Sequence, residues 1–176
     1  MMIIALGSNL QNGDDKPAEN VRRAIRVLDR MFTLSGISSL YCSPAWPKRS
    51  DPPFINAVVS SEKTLPPALI LKALHSIEAA FGRERSIRNA PRILDLDLLA
   101  VNEMIIRPND QNIGKGGGDP MYETGLTLPH PRIANRAFVL VPLAQIMPDW
   151  KHPETGLSAL EMLENLGEVE IEAYSD

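Results

Sequence analysis

Asp95 and Asp97 stand two residues apart in the run Arg-Ile-Leu-Asp-Leu-Asp-Leu at positions 92–98. On a β-strand, side chains two apart share a face and neighbours oppose. Ile93, Asp95 and Asp97 therefore point one way, and Leu94, Leu96 and Leu98 the other. Three leucines can pin such a strand to a core while the two carboxylates stand roughly 7 Å apart at Cα by strand rise. Oxygen donors at that spacing suit Mg2+, which takes one or two carboxylates and completes its shell with water and substrate phosphate. Arg83, Arg85, Arg88 and Arg92 lie just upstream and bring guanidinium forks for those phosphates. The combination predicts a phosphoryl-transfer site. A half-solvated strand whose acids simply pair with those arginines fits the same spacing, so the motif alone leaves both readings open.

The elements that must position these groups are legible in the rest of the chain. Its 176 residues fit one domain, spanning 1–176, with room for a sizeable core. Met2 to Leu6 is a short apolar run stopped by Gly7-Ser8-Asn9 and reads as a buried first strand. Asp14 and Asp15 can cap a helix with Pro17 in its first turn, and Val21, Ala24, Ile25, Leu28 and Phe32 keep helical spacing. Residues 33–42 read as a strand, the four prolines of 43–53 as a loop, and 54–63 as another strand. Pro66 opens a second helix with Ile70, Leu71, Leu74, Ile77 and Phe81 on one face, ended by Gly82. The aspartate strand comes next, then a short return strand at 104–106.

This order, β-α-β-β-α-β, predicts an α+β, ferredoxin-like antiparallel sheet with both helices on one face. Two apolar helices, 138–146 and 157–166, are expected as C-terminal additions. Residues 107–126 carry five glycines and read as a long mobile insertion. Within them Gly114-Lys-Gly-Gly-Gly lacks the spacing and the Ser/Thr of a P-loop.

Bulk properties narrow the function classes. A formal charge of -4 gives no global positive field for nucleic acid or anionic membrane, so an anionic substrate needs the local arginine cluster. Cys42 is the single cysteine, which excludes an internal disulfide and a cysteine metal cage. No apolar run approaches the ~20 residues of a membrane span, and the start lacks a signal peptide's basic region. The expected location is the cytoplasm.

Laid together, the motifs carry a family resemblance. Gly7-Ser8-Asn9-Leu10 is followed by Ser43-Pro44, Phe54-Ile-Asn56-Ala-Val, and Ile77-Glu78 with Gly82-Arg83-X-Arg85. Then come Pro91-Arg92-X-Leu-Asp95-Leu-Asp97-Leu-Leu, Leu128-Pro129-His130-Pro131-Arg132 and Asn135-Arg136-X-Phe138. In this order, over about residues 2–150, they resemble the 6-hydroxymethyl-dihydropterin pyrophosphokinases of folate biosynthesis. The resemblance implies a monomeric enzyme that moves the β,γ-diphosphate of ATP onto the pterin hydroxymethyl group and releases AMP, with two Mg2+ ions.

By position, it implies that Asp95 and Asp97 hold both metals and that Arg83 and Arg92 stabilise charge on the transferring phosphates. Arg85 and Arg88 would assist them. His130 and Arg136 would contact ATP phosphates, Glu78 would lie close to the nucleotide, and Leu98 would line its site. Phe54 and Phe138 would stack on the pterin, Asn56 would read its amide edge, and Ser43, Pro44 and Trp46 would shape the rest of the slot. By residue type alone, Phe54 and Phe138 could be core, Asn56 a satisfied amide, Trp46 surface packing and His130 a turn pin. His75, where the family often has glutamine near ATP, reads equally as a helix-surface histidine. The chain departs from the family pattern at Asn89-Ala90, where a Trp-Gly pair often stands, and at Pro131 after the histidine.

Two other functions fit parts of the pattern. One is an ATP-dependent diphosphokinase of another hydroxymethyl heterocycle. The other is a ferredoxin-like RNA-binding module, against which the acidic balance and paired aspartates argue.

Overall fold

The structure is a computed structural model, and it describes residues 1–45, 48–83, 91–107 and 125–175. Trp46, Arg85, Arg88, Asn89-Ala90 and nearly all of the 107–126 segment lie outside the described residues. The chain forms a mixed α/β layer structure around one antiparallel sheet. Its strands are β1 (Met2–Ser8), β2 (Gly36–Ile37), β3 (Tyr41–Ser43), β4 (Phe54–Ser61), β5 (Asp95–Val101) and β6 (Glu172–Ala173). They run in the order β5-β1-β4-β3-β6, with β2 also pairing β4. Among the described residues four α-helices cover the sheet: α1 (Pro17–Phe32), α2 (Pro67–Ala80), α3 (Ala137–Ile146) and α4 (Ala159–Asn165).

The leucine-aspartate alternation sets the two faces as expected. Leu94, Leu96 and Leu98 join Met2, Ile4, Leu6, Ile55, Ala57 and Val59 under α1 and α2, whose Val21, Leu28, Ile70 and Leu74 are fully buried. Asp95 and Asp97 face the other way. At Leu98-Leu99 the alternation ends, and β5 there shifts register against β1 between Ile3 and Ile4. A bulge of this kind puts two residues opposite one and changes the phase of the strand beyond it. Leu99 and Ala100 accordingly pack in a second core with Ile3, Val58 and helices α3 and α4.

α1 and α2 share one face as expected, and the second core puts α3 and α4, to which the sequence assigned no face, on the other. α3 is apolar nearly all round, as a helix buried on several sides must be. Its Val139, Leu140 and Leu143 lie on the sheet face opposite α1 and α2, and α4 backs it through Ala159 and Met162. α3 and α4 cover only part of this face. The uncovered part holds the aspartates.

Three further expectations change. Residues 33–42 are not one strand but β2 and β3, broken at Ser38. The Ser38 hydroxyl accepts the Val58 N–H at 3.0 Å and donates to the Ser39 carbonyl, taking a place a backbone carbonyl would hold in a continuous ladder. Gln145 of α3 then takes the Ser39 N–H at 2.8 Å and pulls the chain aside. The return strand at 104–106 reduces to a single bridge between Ile106 and Leu128. At the first helix Lys16, not an aspartate, holds the cap position without a side-chain bond, and Pro17 starts the helix. Asp15 pairs with Arg23 instead. No helix among the described residues is long and apolar enough to cross a membrane.

Candidate active site

A cleft of about 570 Å³ opens on the sheet face that α3 leaves free. Its floor is a row of register partners across three strands: Asp95 on β5, Gly7 on β1 and Asn56 on β4. The next row begins Asp97, Ala5 and Val58. Paired strands lie about 4.8 Å apart, so the carboxylates and the amide flank a central strip of the smallest residues. A Cβ built on Gly7 would stand 3.5 Å from the Phe54 ring and 3.6 Å from Asn56 Oδ1. Glycine there leaves the floor open for a flat ligand.

One wall is aromatic and amide-bearing. Phe54 and Phe138, each half-buried, line the cleft with Ser43, Pro44 and Asn56. Asn56 Nδ2 donates to Ser43 Oγ at 2.9 Å and to the Phe54 carbonyl at 3.3 Å. Its Oδ1 keeps lone pairs for a ligand donor. A pocket with two ring faces and one oriented amide matches a planar heterocycle that carries its own amide edge.

The opposite wall is ionic. Arg83 Nη1 lies 2.9 Å from Asp95 Oδ1, and Arg92 Nη1 lies 2.8 Å from Asp95 Oδ2. Arg136 Nη1 reaches Asp97 Oδ2 at 3.2 Å, and its guanidinium also sits 5.3 Å from the Phe138 ring centroid. His130 Nε2 is 3.9 Å from the same Asp97 oxygen. The Arg132 N–H donates to His130 Nδ1, which leaves Nε2 to carry the proton toward the cleft. Four cationic or donor groups thus converge on two carboxylates. Such an arrangement fits phosphate oxygens and a divalent cation arriving together, the cation replacing the arginines on the carboxylates. Among the described residues no group of three or more His, Cys, Asp and Glu gathers to cage a metal. Two carboxylates with room for water and phosphate is the donor set Mg2+ prefers.

Sequence reasoning placed Ser43, Pro44, Phe54, Asn56, Arg92, Asp95, Asp97, Arg136 and Phe138 here, and the structure brings them together around one cleft. Arg83 and His130 join them through Asp95 and Asp97. Two of the expected nucleotide neighbours turn their side chains away from the cleft. The Leu98 side chain is 3% exposed in the α1–α2 core, so it does not line the cleft. The Glu78 carboxylate is 2% exposed and faces Arg83 and the β5 backbone rather than the open cleft. Trp46 and Arg85 fall outside the described residues, and His75 sits exposed on α2.

Arg132 and Asn135 also line the cleft; both stand in the family motifs, which gave neither of them a role. Asn9 is a third motif residue whose role the sequence left open. It is 2% exposed: its Oδ1 accepts the Arg92 N–H at 2.7 Å, and its Nδ2 donates to the Pro52 carbonyl at 3.0 Å. One amide thereby ties the arginine segment to the proline loop.

A sequence profile of the family described as 7,8-dihydro-6-hydroxymethylpterin-pyrophosphokinase (HPPK) matches residues 3–148. The chain belongs to this family. Several relatives bear the name 2-amino-4-hydroxy-6-hydroxymethyldihydropteridine pyrophosphokinase. The HPPK of Synechocystis sp. is 32% identical over 168 residues, covering 93% of this chain and 75% of the relative. That of Methylorubrum extorquens is 37% identical over 151 residues, covering 83% and 82%. The crystal structure of Plasmodium falciparum wild-type HPPK-DHPS superposes with a TM-score of 0.64 at 12% identity. It covers 93% of this chain, which spans only 44% of that longer protein, and the likeness concerns the fold alone.

Burial holds His130 below the ordinary imidazole value of 6.5, against the pull of Asp97. It does the same to His152, which packs edge-on against Trp150 outside the cleft and accepts the Glu154 N–H on Nδ1. The folded protein binds these protons less readily than the unfolded chain. Stability they contribute is therefore complete above pH 6.5 and is lost as pH falls through that value toward the folded-state pKa. The melting temperature is expected to rise from about pH 5 to about pH 7, with a shallower slope in His152→Asn. Identical slopes for the two proteins would remove His152 from this account.

Proposed function

We infer that the protein transfers the β,γ-diphosphate of ATP to the hydroxymethyl group of 6-hydroxymethyl-7,8-dihydropterin, giving AMP and the pterin diphosphate. The observation that carries the reading is the single row Asp95–Gly7–Asn56, which sets an ionic wall and a heterocycle slot on either side of one open strip. In this reading Asp95 and Asp97 hold two Mg2+ ions with the triphosphate. Held there, the ions would supply neutralisation of phosphate charge and polarisation of the hydroxyl. Arg83, Arg92, Arg136 and His130 orient the phosphates; Arg85, which the resemblance gives the same task, lies outside the described residues. Leu98 can meet the nucleotide only through its backbone.

Phe54 and Phe138 sandwich the pterin, Asn56 reads its amide edge, and Ser43 holds Asn56 in place. Pro44 closes the slot from the proline loop, and Trp46, to which the resemblance gives the same part, lies outside the described residues. No strong side-chain base is required. Positioning and electrostatics carry the rate, as in phosphoryl transfer generally.

The sheet order, with β2 and β3 together as the second strand, supports a ferredoxin-like core bearing C-terminal helices. Residues 1–176 read as one domain, acting as a monomer in the cytoplasm. The deciding experiment is product analysis with ATP, Mg2+ and the dihydropterin. AMP formed in step with pterin consumption is expected. ADP would overturn the reaction, and turnover confined to a different hydroxymethyl heterocycle would overturn the acceptor.

A further inference from the structure

Glu78 occupies a place where a charge needs a reason. It lies on α2 beside Ile70, Leu74 and Ile77 in the helix's buried stripe and is 2% exposed. A buried carboxylate is costly unless it is paired and hydrogen-bonded. Glu78 has both kinds of partner: Oε1 accepts the Leu96 N–H at 2.8 Å and pairs with the Arg83 guanidinium. Leu96 lies on β5, an edge strand with outward N–H groups to satisfy. Gly82, at φ 87°, turns the chain after α2 so that the Arg83 N–H reaches back to the Glu78 carbonyl at 3.1 Å. Residue 83 is thus fixed beside residue 78 by backbone as well as by charge.

Arg83 is shared. The nitrogen that meets Glu78 also meets Asp95 Oδ1, while Arg92 holds Oδ2. A divalent cation that takes Asp95 must displace at least one of these contacts. Without a second anion Arg83 would have Asp95 as its sole ionic partner among the described residues and would compete with the metal for it. We propose that Glu78 is a positioning residue, a buried counter-ion that retains Arg83 beside the phosphates when a divalent cation takes Asp95. The proposal rests on the reading of Asp95 as a metal ligand.

Glu78→Gln tests it, because the amide oxygen still accepts the Leu96 N–H while the charge is gone. Mn2+ binding to the full chain, monitored by loss of the free-ion EPR signal, is expected to weaken about tenfold, the scale typical of a metal's supporting shell. Combined with Arg83→Gln, which removes the competing cation, binding is expected to return to within about twofold of wild type, since the two effects are coupled. An unchanged Mn2+ affinity in Glu78→Gln overturns the proposal, and so does a tenfold loss that persists in the double variant. Should Glu78→Gln alone fail to fold, the double variant carries the test by the same criterion. Asp95→Asn separates the two levels: if it binds Mn2+ as wild type does, the metal reading itself fails, whatever Glu78 does.

Discussion

Asp97→Ala is expected to lower kcat by roughly 10³-fold or more, about 4 kcal/mol of transition-state stabilisation, with little change in stability. The side chain stands on the cleft face of β5 and is 36% exposed, so its removal opens no cavity in either core. Its visible partners are Arg136 at 3.2 Å and His130 at 3.9 Å. A partly exposed pair of this kind contributes ~0–1 kcal/mol, and losing it moves the melting temperature by only a few degrees. The catalytic loss has a different origin. If Asp95 and Asp97 hold the metal as proposed, one of two carboxylate ligands disappears, and a cation neutralising the triphosphate would be held by the other alone. Activity within tenfold of wild type would remove Asp97 from the metal site and leave it as a surface partner of Arg136.

The same residue shows what a sequence can and cannot disclose. Asp95 and Asp97 were legible because a strand's period of two is strict, and three leucines on the opposite phase said which side was core. Gly82 was legible as a helix end because a left-handed residue is cheap only for glycine. Residues 33–42 misled because a serine hydroxyl replaced a backbone carbonyl in the ladder. Nothing local distinguishes a serine that does so from one that points to solvent. α3 carried too little amphipathicity to say which face of the sheet it covers. Its apolar surface said only that it is buried.

Glu78 and Asn9 were hardest. Glu78 is explained by Leu96 and Asn9 by Pro52 and Arg92, partners 18, 43 and 83 residues away. Long-range polar pairing depends on how the sheet closes and leaves no periodic trace. Motif spacing carried no sign of burial either: Leu98 packs in the core and Glu78 beneath Arg83.

Phe138→Ala is expected to weaken binding of the dihydropterin ~10- to 100-fold while changing ATP affinity by no more than about twofold, since one ring stacked on a base-like heterocycle contributes ~1–3 kcal/mol. The ring has two surroundings. Part of it packs against the α3–α4 core, and part lines the cleft that Phe54 also lines. The Arg136 guanidinium rests 5.3 Å from the ring centroid, a cation–π contact that a planar ligand would have to displace. Truncation therefore costs some folding stability as well as the stacking face, and the two must be separated. Phe138→Leu does this, because leucine keeps most of the apolar packing and loses the flat face. Calorimetric titration of each variant with pterin and with an ATP analogue distinguishes the roles. Near-native pterin binding by Phe138→Leu, or equal losses for both ligands in Phe138→Ala, would make the ring part of the core. A pterin-specific loss in both variants, with the leucine protein nearly as stable as wild type, would make it one half of the sandwich. The slot would then be defined by that ring as much as by the amide of Asn56.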